Sequence, residues 1–151
     1  MTYGIEQPFT QLYQEAFVSR ALDPELKLPK WQRLAFLALG RHERNGHAVF
    51  EPGELARYLG TSDSETGEVI PASAKVVDNA IRDAIKNDML DPSSVAGCLI
   101  PPIDMVRANS GAGHYKTEYK PCPVHDVVSK AAKRARKASV VAARRRRSGA
   151  A

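Results

Sequence analysis

SAKVVDNAIRDAIKNDML, residues 73–90, is the stretch on which the fold turns. Val77, Ile81, Ala84 and Ile85 recur at helical spacing and build one apolar stripe, so the segment is predicted to be an amphipathic helix. Ser73 stands where a hydroxyl can accept an N–H of the first turn, and the helix is expected to end near Asn87 or Asp88. Opposite the stripe, Lys75, Asn79, Arg82 and Lys86 follow at spacings of 4, 3 and 4, which places them in one narrow arc at 100° per residue. Arg and Lys can donate to phosphate or to guanine O6 and N7, and Asn can pair bidentately with adenine. The same pattern is that of any solvated helix face, and Asp78 and Asp83 flank the arc with charges that repel phosphate.

Upstream, ELARYL (54–59) reads as a short helix opened by Glu51-Pro52-Gly53 and closed by Gly60 as a left-handed C-cap residue. Residues 61–71 are rich in Ser, Thr, Asp and Glu and read as a loop, long for a turn between packed helices. HAVF (47–50) reads as a short strand. Residues 29–46 read as a helix with Pro29 in its first turn, a stop at Asn45-Gly46, and Trp31, Leu34, Ala35, Leu37 and Ala38 turned to the core. A further helix is expected over 8–22, burying Phe9, Leu12, Tyr13, Ala16 and Phe17.

Downstream, DPSSVAG is a turn-rich loop before CLIPP, a short apolar strand closed by Pro101 and Pro102. The order of these elements predicts a mainly α fold: a winged helix-turn-helix domain with a short β-hairpin wing and a basic C-terminal tail. The expected parts are an N-terminal helix and connection (1–28), the winged core (29–102), an irregular extension (103–125) and the tail (126–151). Residues 91–97 would form the wing tip, which offers Ser93, Ser94 and backbone N–H groups but no basic side chain.

Charge divides the chain unequally. Residues 1–122 hold 13 Lys and Arg against 16 Asp and Glu, a net −3. From residue 123 onward the only acid is Asp126, against Lys130, Lys133, Arg134, Arg136, Lys137, Arg144, Arg145, Arg146 and Arg147, a net +8. Such asymmetry predicts a polyanionic partner for the tail, held through counterion release. Duplex DNA is the first expectation, and RNA is a second, because arginine-rich segments also fold onto it. A membrane is not expected: Val127, Val128, Val140 and Val141 are the sizeable apolar residues of the tail, with no aromatic residue to seat it.

The N-terminal MTYGIEQPF has neither the charged nor the apolar region of a secretion signal, and no apolar run reaches the ~18 residues of a membrane span. A cytoplasmic, nucleoid-associated location is therefore expected, with Cys98 and Cys122 as thiols. Cys122-Pro-Val-His125 has the spacing of half a zinc site, which Cys98 and His114 could complete. Zinc sites usually show two paired half-motifs, and one alone leads to the expectation of no cofactor. No nucleophile motif, phosphate-binding loop or carboxylate pair is visible, so an enzyme is not expected.

FEPGELARYLG, KVVDNAIRDAIKNDMLDPSSVAGCLIPP and YKPCPVH together resemble small helix-turn-helix or winged-helix proteins of actinobacteria and their bacteriophages, over about residues 30–125. The resemblance implies sequence-specific or structural DNA binding by the long helix, in a phage or bacterial cytoplasm, and the leading expectation is a transcriptional regulator or accessory DNA-binding protein. This chain departs from that pattern in its acidic SDSETGEV loop and its unusually basic tail. The residues expected on DNA are Ser73, Lys75, Asn79, Arg82 and Lys86, with the nine tail cations on phosphate. Two other readings remain open: an interaction module that binds a host protein, and non-specific packaging of nucleic acid by the tail. A homodimer through the first helix is also compatible with its Phe and Tyr content.

Overall fold

Glycine and arginine decide how the first two helices meet. In the computed structural model, which describes residues 12–106 and 122–125, α1 (Gln14–Leu22) packs against α2 (Lys30–Arg41). A Cβ on Gly40 would lie 2.6 Å from Val18 Cγ2 and 2.9 Å from the Gln14 carbonyl oxygen, so only glycine permits this approach. Each helix also caps the other. Arg33 of α2 donates from Nη1 to the carbonyls of Ala21 (2.7 Å) and Asp23 (3.1 Å), satisfying acceptors that the end of α1 leaves open. Gln14 of α1 donates from Nε2 to the His42 carbonyl (3.0 Å) beyond the end of α2. Phe17 and Phe36 add an edge-to-face contact with ring centroids 5.7 Å apart.

The remaining elements are β1 (Ala48–Val49), α3 (Glu54–Tyr58), β2 (Thr61–Ser62), β3 (Val69–Ile70), α4 (Ala74–Lys86) and β4 (Cys98–Leu99). The described residues thus form a helix-dominant fold with two antiparallel ladders of two strands each. β1 pairs with β4 in the register Ala48↔Leu99 and Val49↔Cys98, and β2 pairs with β3 in the register Thr61↔Ile70 and Ser62↔Val69. The core lies between α2, α3 and α4, where Leu34, Leu37, Leu55, Leu59, Val77, Ile81 and Ala84 are buried with Phe50, Leu90 and Leu99. A buried acid joins α2 to α3: Glu54 is ion-paired with Arg41 and accepts from Tyr58 Oη (2.8 Å) and the Glu51 N–H (2.8 Å). Among the described residues, no helix is long and apolar enough to cross a membrane.

Several expectations need correction. The segment 61–71 is not a plain loop but carries the β2–β3 hairpin, turned at Gly67 with φ +70°. Gly60 is absent from the positive-φ glycines, so it is no left-handed cap; it is required because a Cβ there would stand 2.2 Å from the Ile70 carbonyl oxygen. α2 ends at Arg41, short of Asn45-Gly46, and Pro29 is its N-cap residue. Leu12 and Tyr13 are exposed (65% and 87%), because α1 starts only at Gln14 and meets α2 through Val18 and Ala21. Trp31 is only partly buried. Phe9 lies outside the described residues. The expected hairpin near residues 91–100 is reduced to a tight turn with one bridge, Val95↔Cys98, while β4 gives its ladder to β1.

Candidate functional site

α4 presents the first candidate surface. Ser73 Oγ accepts the Val76 N–H at 3.3 Å, so this hydroxyl caps the helix. Val77, Ala80, Ile81 and Ala84 are buried, whereas Lys75, Asn79, Arg82 and Lys86 are all exposed. A helix rises ~1.5 Å per residue, so the three cations and one amide are spread along about 16 Å of one face. Asp78 and Asp83 are exposed beside them. The helix ends where expected, with Asn87 as C-cap and Asp88 in the left-handed region at φ 55°.

An open groove of about 250 Å³ runs beside this face, lined by Asp78, Ile81, Arg82 and Ile85 of α4 and by Ser94, Val95 and Ala96. The turn that forms its far wall is held closed by Asp91 N–H to the Ile100 carbonyl (2.8 Å) and by Ile100 N–H to Ser94 Oγ (3.0 Å). α3 precedes α4 but is not joined to it by the short turn of a simple helix-turn-helix, since the β2–β3 hairpin intervenes. That hairpin carries Asp63, Glu65 and Glu68. Asp63 Oδ1 accepts the N–H groups of Glu65 (2.7 Å) and Thr66 (3.2 Å), which hold its carboxyl below the usual range.

The second candidate is a cluster of His47, Cys98, Cys122 and His125, whose nitrogen and sulfur atoms all lie within 4.8 Å of one another. Three of the separations are 3.4 Å for His47 Nδ1 to Cys98 Sγ, 3.7 Å between the two sulfurs, and 3.4 Å for Cys122 Sγ to His125 Nδ1. The two rings meet edge to face with centroids 5.0 Å apart. Both sulfurs are buried, and the two are not joined in a disulfide. Burial, together with the neighbouring Cys122, pushes the Cys98 thiol up to about 12. Burial also opposes ionisation of Cys122, but the backbone N–H groups of His125 and Val124 and the His125 ring outweigh it and lower its pKa. His125 Nε2 lies 2.8 Å from the Ser93 carbonyl, an acceptor only, so this nitrogen carries the hydrogen and Nδ1 faces the sulfur.

The structure therefore brings together Cys98, Cys122 and His125 of the four residues considered for zinc. His114 lies outside the described residues, as do all nine tail cations. His47 was not anticipated: it stands 51 positions from Cys98, and no local motif links them. The β1–β4 register does, because Val49 opposes Cys98 and His47 lies on the same side of the strand as Val49. Comparison with protein families, with curated proteins and with solved structures gives no match for the chain.

Proposed function

We propose that the chain is a non-enzymatic DNA-binding protein, a regulator or accessory factor in which α4 enters the major groove and the basic tail engages phosphate. The observation that carries this reading is the exposed arc of Lys75, Asn79, Arg82 and Lys86 opposite a buried stripe. A helix with its side chains is ~10–12 Å across and the major groove ~12 Å wide, so α4 can lie in it along this face. The turn at Ser94–Ala96 then acts as a much shortened wing, and the groove between it and Arg82 offers a track for one DNA strand. The resemblance to winged-helix proteins of actinobacteria and their phages supports the same reading. The tail's +8 supplies sequence-independent affinity.

A protein-binding role is the competing reading, and the β2–β3 hairpin favours it: Val69 (52% exposed) and Ile70 (54% exposed) stand on an acidic ribbon away from the core. Selection from a random duplex library by the full-length chain separates the two. One enriched motif, lost in a Lys75→Ala/Asn79→Ala/Arg82→Ala variant that still folds, supports the regulator. Binding without an enriched motif that disappears on replacing Arg144–Arg147 by Ala supports packaging by the tail; no duplex binding at all leaves the protein-partner reading.

A further inference from the structure

The geometry points to a structural zinc site formed by His47, Cys98, Cys122 and His125, independent of any contact with nucleic acid. Tetrahedral zinc holds sulfur at ~2.3 Å and imidazole nitrogen at ~2.0–2.1 Å, which sets edges of about 3.8 Å between two sulfurs and about 3.6 Å between sulfur and nitrogen. The separations in this chain are 3.7 Å and, twice, 3.4 Å. These three match the edges of a tetrahedral site, and all four donor atoms lie within 4.8 Å of one another, close enough for one ion to draw them together. A disulfide would need its sulfurs ~2.05 Å apart, and these lie 3.7 Å apart.

Three further features match a metal site. The donor set of two thiols and two imidazoles is one that zinc takes in closed structural sites. His125 points Nδ1 inward while Nε2–H donates to the Ser93 carbonyl, the outer hydrogen bond that fixes the tautomer of a ligating histidine. Cys122 accepts N–H groups from Val124 and His125, the backbone wrap that the Cys122-Pro-Val-His125 spacing produces. On binding, both thiols lose their protons to solvent and the histidines stay neutral, so Zn²⁺ with two thiolates is a centre of zero net charge. That neutrality suits a place where Cys98 and Cys122 are 0% and 2% exposed.

The site closes chain separated by 51 residues between His47 and Cys98 and by 24 between the two cysteines. It would fasten the Cys122–His125 segment to the β1–β4 ladder, where Val124 already packs 3.3 Å from the Cβ position of Gly97. Zinc content per chain of the reduced full-length protein, measured by elemental mass spectrometry, tests this directly. One zinc per chain is expected. Cobalt in its place should give the visible bands of a tetrahedral ion and the ultraviolet sulfur-to-cobalt transitions of two thiolates.

His47→Ala, Cys98→Ser, Cys122→Ser and His125→Ala should each lower bound metal from one per chain to a small fraction, and His114→Ala should leave it unchanged. Because an alanine variant can fail by misfolding, His47→Cys serves as the conservative control and should retain zinc, with sulfur-to-cobalt absorption stronger by about half, as for three thiolates instead of two. A reduced, folded wild type with neither stoichiometric zinc nor a tetrahedral cobalt spectrum overturns the proposal. So does zinc that survives His47→Ala but is lost in His114→Ala, which would give the ligand set to other residues.

Discussion

Removing the three cations of α4 together, as Lys75→Ala/Arg82→Ala/Lys86→Ala, tests the DNA-binding proposal with a magnitude set by the helix itself. All three side chains are exposed on one face, so their loss should leave the thermal unfolding transition close to that of the wild type. If each neutralises one phosphate, the slope of log affinity against log salt falls by about 0.9 per contact, or about 2.7 in all. The wild-type advantage is then about 500-fold at 0.1 M salt and shrinks about 40-fold between 50 and 200 mM. Fluorescence anisotropy of a labelled duplex across a salt series reads both numbers. If Arg82 reads a base instead, the slope falls by about 1.8 and the preference among sequences weakens by about 1–3 kcal/mol. A variant with the wild-type slope would refute the reasoning, because it would mean that the tail alone meets the phosphates.

The hairpin and the buried acid supply the other tests. Glu65→Gln/Glu68→Gln should strengthen duplex binding at low salt and make no difference at high salt, where exposed charges are screened; a weaker complex would argue that the hairpin itself makes favourable contacts. Gly60→Ala should lower stability by about 2–3 kcal/mol in a denaturant titration, since its Cβ would sit 2.2 Å from a backbone oxygen, whereas Gly67→Asn, in open space at φ +70°, should cost less than about 1 kcal/mol. Glu54 is opposed by burial, but the hydrogen bonds from Arg41, Glu51 and Tyr58 prevail and hold its carboxyl below 4.5. A depressed folded value contributes stability above the unfolded one and loses it as pH falls through the folded one. Glu54→Gln should therefore shift the urea midpoint at pH 7 and leave it nearly unchanged near pH 3; an equal shift at both would assign the effect to packing.

Periodicity made α4 legible in detail, because one helix buried on one side writes its own pattern: Ser73 is the cap, Asn87 the end, and the charged arc is exposed as read. What could not be read depended on partners distant in sequence. The β2–β3 hairpin hides in a polar stretch whose Val69 and Ile70 face solvent, so no buried alternation marks it. Gly60 looked like a cap from its position after a helix, yet its role is a clearance from Ile70 that only the folded hairpin creates. The His–Cys cluster was visible in three of its four members, since Cys122 and His125 share a local motif and Cys98 is the other cysteine of the chain. His47 joins them through a strand register, and a register linking positions 48–49 to 98–99 leaves no local trace.

The position of the cluster bears on how tail and helix could act together. His125 holds the Ser93 carbonyl, and the next three residues, Ser94, Val95 and Ala96, form the wall of the groove that faces Arg82. His125 therefore stands next to the groove beside the α4 face for which DNA contact is proposed. In the sequence the first cation of the basic segment, Lys130, follows His125 by five positions. A body of net −3 with an acidic hairpin would bind phosphate poorly by its long-range field alone. If the proposed function holds, the tail would supply attraction and α4 discrimination, and a metal bound by His47, Cys98, Cys122 and His125 would fasten the residue from which the basic segment continues close to the face that reads the duplex.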